Sequence, residues 1–274
     1  MEVVFRKYQG LGNDFLVVDD PALIAALGPA EARTLCDRHL GVGGDGVLLT
    51  GVREGRPFMR VINADGTTPQ MCGNGVRCVA LHLFEGGYVT DAPFDLDTDA
   101  GPHRVQVHAP GPVGDVEVWM RSPSLAPRDL PLTAEAPWRD EPIEVAGERL
   151  RVTAVSMGNP HAVTFDPVPR ERVGPALEID ARFPERVNVG FVSNIRPGGF
   201  DLAVWERGVG FTQACGTGAC AAAVAAVETG RAPRGEALRV VLPGGPLLIT
   251  VGEPDAPVRM RGPAARVFDG VARV

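Results

Sequence analysis

Gln213-Ala214-Cys215-Gly216-Thr217-Gly218-Ala219-Cys220 opens an alanine-rich run, and a related stretch stands half a chain earlier, Gln70-Met71-Cys72-Gly73-Asn74-Gly75-Val76-Arg77. In each copy a Gln precedes the Cys by two positions and Gly-x-Gly follows it directly. Each then runs into an apolar, helix-forming segment with a Gly beyond it, Gly86 in the first and Gly230 in the second. The spacing predicts helices over about 74–85 and 216–229. The chain therefore reads as two half-molecules, each presenting one Cys at the start of a helix.

The repetition extends outward from the cysteines. Gly12-Asn13-Asp14-Phe15 precedes a strand pattern, as Gly158-Asn159-Pro160-His161 does. Asn63 ends a strand pattern at the same distance before Cys72 as Glu206 does before Cys215. Short alternating apolar runs surround each of these helical segments in both halves. Together they predict an α+β fold of two pseudo-symmetric halves, each a mixed β-sheet wrapped around a central α-helix, with the active site in the cleft between them. The stretch 121–142 is rich in proline and charge, which sets the crossing between halves near 115–120. The expected division is 1–116, with the last strand (about 263–274) returning to it, and 117–262. A further helix is expected over Pro29–His39. Gly41-Val42-Gly43-Gly44-Asp45-Gly46 is a glycine loop with neither a P-loop's Lys-Ser/Thr nor a dinucleotide fingerprint.

Composition narrows the function classes. The chain has 274 residues, 45% of them hydrophobic, and a formal net charge of −7, opposite to the basic face of a nucleic-acid binder. No apolar stretch is long enough to span a membrane, and Arg6 and Lys7 break the short apolar run at the N-terminus, so no secretory signal is expected there. Five cysteines, an odd number at spacings unsuited to a structural zinc site, suggest reduced thiols in the cytoplasm and no metal. Lys7 is the only lysine among 27 basic residues, and pyridoxal phosphate chemistry needs a lysine for its Schiff base. Lys7 lies in a strand pattern with no phosphate loop beside it, so a reaction without that cofactor is expected.

A Cys at a helix N-terminus suits a thiolate, because unpaired backbone N–H groups and the helix dipole stabilise negative charge. Such positions lower a thiol pKa from about 8.5 to roughly 3.5–7.5. The same N–H groups can hold a substrate carboxylate. Cys72 and Cys215 share this context, whereas Cys36, Cys78 and Cys220 read as packing residues. Two such thiols fit the inversion of a carbon stereocentre, one removing the α-proton while the other delivers a proton to the opposite face. A cysteine protease would leave the second Cys loop unexplained.

Met71-Cys72-Gly73-Asn74-Gly75, Ala214-Cys215-Gly216-Thr217-Gly218 and Gly158-Asn159-Pro160-His161 together resemble the diaminopimelate epimerase family over essentially the whole chain. The proline and hydroxyproline racemases share the two-cysteine plan but resemble the surrounding loops less. The resemblance implies a cofactor-independent epimerase that interconverts L,L- and meso-diaminopimelate, in lysine and peptidoglycan precursor biosynthesis. It implies Cys72 and Cys215 as the acid–base pair, with His161 and Glu206 tuning or orienting the thiols. Gly73, Asn74, Gly216 and Thr217 would hold the reacting carboxylate. Asn13, Asn63, Asn159, Asn188, Glu206 and Arg207 would recognise the distal centre. A homodimer is also implied. Some members carry a substrate-touching Gln where this chain has Gly46. A proline-type racemase and a non-catalytic binding protein on the same scaffold are the competing classes.

Overall fold

The computed structural model describes residues 1–69 and 71–274. Gln70, one of the two glutamines of the repeat, lies outside the described residues. The chain divides into two compact units, Met1–Trp119 with Arg261–Val274, and Met120–Met260.

The first unit runs β1 (Glu2–Gly10), β2 (Asn13–Val18), α1 (Pro21–Ala26), α2 (Pro29–Cys36), β3 (Gly46–Arg53), β4 (Arg56–Asn63), α3 (Gly73–Glu85), β5 (Phe94–Thr98), β6 (Gly101–Ala109) and β7 (Gly114–Trp119). The second runs β8 (Glu141–Val145), β9 (Glu148–Ser156), β10 (Pro160–Thr164), α4 (Arg170–Glu178), β11 (Asn188–Arg196), β12 (Gly199–Glu206), β13 (Gly210–Phe211), α5 (Gly216–Glu228), β14 (Ala237–Leu242) and β15 (Gly245–Thr250). The last strand, β16 (Arg259–Arg273), returns to the first unit.

The strand directions carry the repeat. In the first unit the strands follow chain order from β1 to β7, and β16 pairs with both β7 and β1, closing the sheet on itself. β2 with β3 and β4 with β5 are parallel, while β1–β2, β3–β4 and β5–β6 are antiparallel. In the second unit β10 with β11 and β12 with β14 are parallel, while β9–β10, β11–β12 and β14–β15 are antiparallel. Parallel neighbours need a crossover, and each crossover here contains a helix. α2 and α4 serve the first parallel pair of their units, and α3 and α5 serve the second.

α3 and α5 are the enclosed helices. Burial is unbroken from Asn74 to Leu83 in α3 and from Gly218 to Ala226 in α5, so neither has a solvent face over those turns. A helix apolar all round belongs inside its own sheet. α5 achieves this with alanine, the strongest helix former and the smallest that keeps a Cβ. Ala222 is wholly buried. Ala222→Leu is expected to destabilise the protein by about 1–3 kcal/mol through overpacking, seen as a lower melting temperature. An unchanged melting temperature would refute the close packing inferred around α5.

Outer layers cover the sheets. α1 and α2 bring Leu23, Leu27, Ala32 and Leu35 onto Val3, Leu16, Val47 and Leu49. Val173 and Leu177 of α4 pack with Val152, Ala162, Val189 and Phe191. The helix expected over Pro29–His39 stops at Cys36, because the Asp37 carboxylate accepts from the His39 and Leu40 amides and turns the chain instead. β16 begins at Arg259, ahead of the last strand expected over about 263–274. Among the described residues, no helix is long and apolar enough to cross a membrane.

Candidate active site

Cys72 and Cys215 are the N-cap residues of α3 and α5, with closely matching backbones: φ −137°, ψ 113° and φ −125°, ψ 104°. Each sulfur takes the part that a Ser or Asp oxygen usually plays at an N-cap. Cys72 Sγ accepts from the Gly75 amide at 3.5 Å, and Cys215 Sγ from the Gly218 amide at 3.4 Å. The Gly-x-Gly spacing is explained by this contact. A Cβ on Gly218 would lie 3.2 Å from Cys215 Sγ and 3.0 Å from Val204 Cγ2, crowding the approach of amide to sulfur.

In the first unit Asn13 stands at the start of β2 and reaches the head of α3. Its Oδ1 lies 3.8 Å from Cys72 Sγ and accepts from Asn74 Nδ2 at 3.2 Å. Asn74 Oδ1 in turn accepts from Arg77 Nη2 at 2.8 Å. Arg77 is fully buried and also donates to the carbonyls of Gly73 and Pro263. Asn63 ends β4 opposite Gly46, and its amide donates to Thr67 Oγ1 at 2.9 Å. In this backbone a Cβ on Gly46 would lie 2.7 Å from the Ile62 carbonyl oxygen, so a side chain there needs a local shift of β3 against β4.

The second unit repeats the plan with different chemistry. Asn159, just before β10, donates to Thr217 Oγ1 at 3.3 Å, and Thr217 Oγ1 lies 3.6 Å from Cys215 Sγ. His161 Nε2 donates to Asn159 Oδ1 at 3.1 Å, which fixes the amide with its NH2 toward Thr217. Burial, assisted by the Arg207 charge, lowers the His161 pKa to about 3, so the ring is neutral at ordinary pH. Burial raises the Cys215 pKa well above the ordinary thiol range, and the neighbouring Glu206 carboxylate adds to the effect. Thr217 and the Gly218 amide act in the opposite direction and do not outweigh burial. Cys215 therefore rests as a thiol, with a carboxylate beside it that accepts its hydrogen bond. Glu206 is itself held by Thr212 Oγ1 at 2.5 Å.

Arg207 follows Glu206 at the end of β12. Asn188 clamps the turn that carries it: Asn188 Nδ2 donates to the Pro160 carbonyl at 2.9 Å and Oδ1 accepts from the Arg207 amide at 3.0 Å. The Arg207 guanidinium is exposed and donates through one nitrogen to the Glu185 carbonyl at 2.8 Å. Cys36 and Cys78, read from the sequence as packing residues, are buried thiols too. Burial pushes Cys36 up to about 11 and Cys78 up to about 12.

The model of the family described as diaminopimelate epimerase matches residues 5–125 and 153–267. The chain is 43% identical to diaminopimelate epimerase 1 of Nostoc sp., over 98% of this chain and 99% of that one. The chain belongs to the diaminopimelate epimerase family. It is also 45% identical to the diaminopimelate epimerase of Desulforudis audaxviator, over 97% of this chain and 98% of that one. As a family member it is an epimerase, an isomerase that works without pyridoxal phosphate. The fold reaches beyond the family. A phenazine biosynthesis protein of the PhzF family from Bacillus anthracis superimposes with a TM-score of 0.71 at 15% identity, covering 100% of both chains.

Set out by unit, most of the expected site residues fall into two groups, while Asn63 bonds to Thr67 and Gly216 enters through its place beside Cys215 in the chain. Cys72, Gly73, Asn74 and Asn13 form one connected group. Cys215, Thr217, Asn159, His161 and Glu206 form the other. Asn188 and Arg207 are joined to each other through backbone. Residues that the motifs did not single out also enter the groups. Arg77 joins the first, and Asp45 binds Asn13 Nδ2 from the glycine loop. Glu178 holds the Arg207 turn through the Gly208 amide at 2.8 Å and Trp205 Nε1 at 2.7 Å.

Proposed function

We propose that the chain interconverts L,L- and meso-diaminopimelate in lysine and peptidoglycan precursor biosynthesis, with Cys72 and Cys215 as the acid–base pair. The reading rests on one observation above others: both cysteines cap a helix with the same sulfur-to-amide contact. In each direction one thiolate takes the α-proton, leaving a carbanion, and the opposing thiol gives its proton to the other face. The enzyme finishes with the thiolate on the other cysteine, so the proton count balances and the reverse reaction begins from that state.

The carbanion needs stabilisation through the carboxylate attached to it. Amides at the heads of α3 and α5, from Gly73, Asn74, Gly216 and Thr217, are suited to that charge. Burial favours the thiol form of Cys215, Glu206 reinforces it and Thr217 opposes it. Arg207 suits the distal carboxylate, and the donor and acceptor capacity that the asparagine amides keep beyond their protein partners suits the distal amino-acid group.

The test is incubation of the reduced protein with L,L-diaminopimelate in deuterated water, followed by proton NMR. Loss of the α-proton signal with appearance of the meso isomer is expected. No change with L,L-diaminopimelate, and racemisation of proline or hydroxyproline in a parallel tube, would overturn the substrate assignment.

A further inference from the structure

The glycine loop 41–46 has no part in the chemistry so far, yet Asp45 within it is heavily bound. Its Oδ2 accepts from Asn13 Nδ2 at 2.5 Å and from the Asp14 amide at 3.0 Å. Its Oδ1 accepts from Arg38 Nη2 at 2.8 Å. Its backbone is tied as well, the amide donating to the Asp14 carbonyl at 2.7 Å and the carbonyl accepting from the Ala64 amide at 3.0 Å. The loop is fastened beneath by Lys7, whose ammonium pairs with Asp14 at 2.6 Å and donates to the Gly43 carbonyl.

Followed from the other side, these contacts form a chain with one direction: Arg77 donates to Asn74, Asn74 donates to Asn13, and Asn13 donates to Asp45. A guanidinium can only donate and a carboxylate can only accept. An amide between them has a single satisfied orientation, because turning either one over would set donor against donor or acceptor against acceptor. The consequence falls on Cys72. With Asn13 Nδ2 committed to Asp45, Asn13 presents its carbonyl oxygen to the sulfur.

We propose that Asp45 is a positioning residue of the Cys72 half-site, and that with Arg77 at the opposite end it locks the Asn13 and Asn74 amides in the orientation that turns the Asn13 oxygen toward the thiol. The second half-site reaches a fixed amide by another route, His161 donating to Asn159. The lock has no catalytic role of its own and acts through Asn13. It rests on the reading of Cys72 as an acid–base residue.

The experiment is a double-mutant cycle. Asp45→Asn keeps the shape and replaces an acceptor-only group with one that both donates and accepts. In the otherwise unaltered protein it is expected to lower kcat/KM for L,L-diaminopimelate by about 10- to 100-fold, the scale of misplacing a group at a reacting centre. In an Asn13→Ala background the same change is expected to cost less than about 2-fold, because residues acting through one another are not additive. Equal losses in the two backgrounds, or no loss in the first, would overturn the proposal.

A second readout does not depend on turnover. The rate of iodoacetamide alkylation against pH, followed on the peptide that carries Cys72, reports its thiolate. An amide oxygen facing sulfur favours the thiol, and an amide freed to rotate can donate to the thiolate. Asp45→Asn is therefore expected to move the alkylation midpoint to lower pH. Loss of the Asp45 charge also acts in that direction, among Asp14, Arg38 and Lys7 on the loop side and Arg77 on the helix side. The same substitution in Asn13→Ala supplies that part alone, so the lock is the excess shift. No excess would refute it. If L,L-diaminopimelate were not turned over at all, the substrate reading would fail while this arm still decided the lock. If Asp45→Asn did not fold, Arg77→Lys compared with and without Asn74→Ala makes the same comparison from the other end.

Discussion

Cys72→Ala and Cys215→Ala are each expected to lower epimerisation by about 1,000-fold or more in both directions, within the upper range for losing a general acid or base. The expectation follows from proton bookkeeping. Inversion needs a base on one face and an acid on the other, and alanine supplies neither. A distinctive residue of activity should survive. The remaining thiol can still exchange the α-proton it faces, so each variant should wash deuterium into one stereoisomer without inverting it. The two variants should choose opposite isomers. Neither substitution threatens the fold, because each sulfur gives up only weak contacts, the N-cap amide and a long side-chain contact to Asn13 or Thr217, together worth about 1–2 kcal/mol. Circular dichroism should therefore match the parent. Turnover within tenfold of the parent in either variant would sink the two-base mechanism. Exchange of the same isomer by both variants would argue that the thiols do not address opposite faces.

The halves and their helices were legible because the repeat marks what local physics demands. A Cys at an N-cap, a glycine where the amide meets sulfur, and an apolar run behind it are all near neighbours in sequence. α3 and α5 accordingly lie within one residue of the ranges expected from the motif. α4 was not legible. Its first turn is charged, Pro175 lies inside it, and it coheres through Val173 and Leu177 packing on the sheet, a tertiary effect. The early part of β16 was hidden by Gly262-Pro263, which reads as a turn, although Pro263 there accepts from Arg77 in α3.

The site divides in the same way. Residues adjacent to the cysteines could be named from the motif and the family. Asp45 could not be assigned a role, because its partner Asn13 is distant in sequence and glycine loops are common. Arg77 carried a usable signal, a charge inside an otherwise apolar helix, which requires a set of buried acceptors. Asn188 illustrates a different limit. Residue type suggested a donor and acceptor for substrate, and said nothing of the amide's bonds to the Pro160 carbonyl and the Arg207 amide. Only the folded register, which sets Asn188 beside His161 across β10 and β11, exposes that contact.

Arg207→Leu is expected to reduce kcat/KM for L,L-diaminopimelate by about 100-fold, close to 3 kcal/mol for hydrogen bonds to a charged group that lose their donor. The turn is built before substrate arrives. Asn188 holds its backbone, Glu178 holds the next residue, and the Glu185 carbonyl fixes one guanidinium nitrogen while the group stays exposed. A preorganised arginine gives up less entropy on binding a carboxylate, so its loss should be felt strongly. If binding at the distal end is spent on orienting the reacting α-carbon, kcat should fall as well as KM rise. Arg207→Lys should recover only part of the loss, because an ammonium cannot reproduce the two-pronged contact. The sharpest comparison uses an analogue lacking the distal carboxylate. The parent should prefer the diacid by roughly the factor that Arg207→Leu removes, and the Leu variant should treat the two alike within a few-fold. A Leu variant that kept the full preference would move recognition of the distal carboxylate away from Arg207.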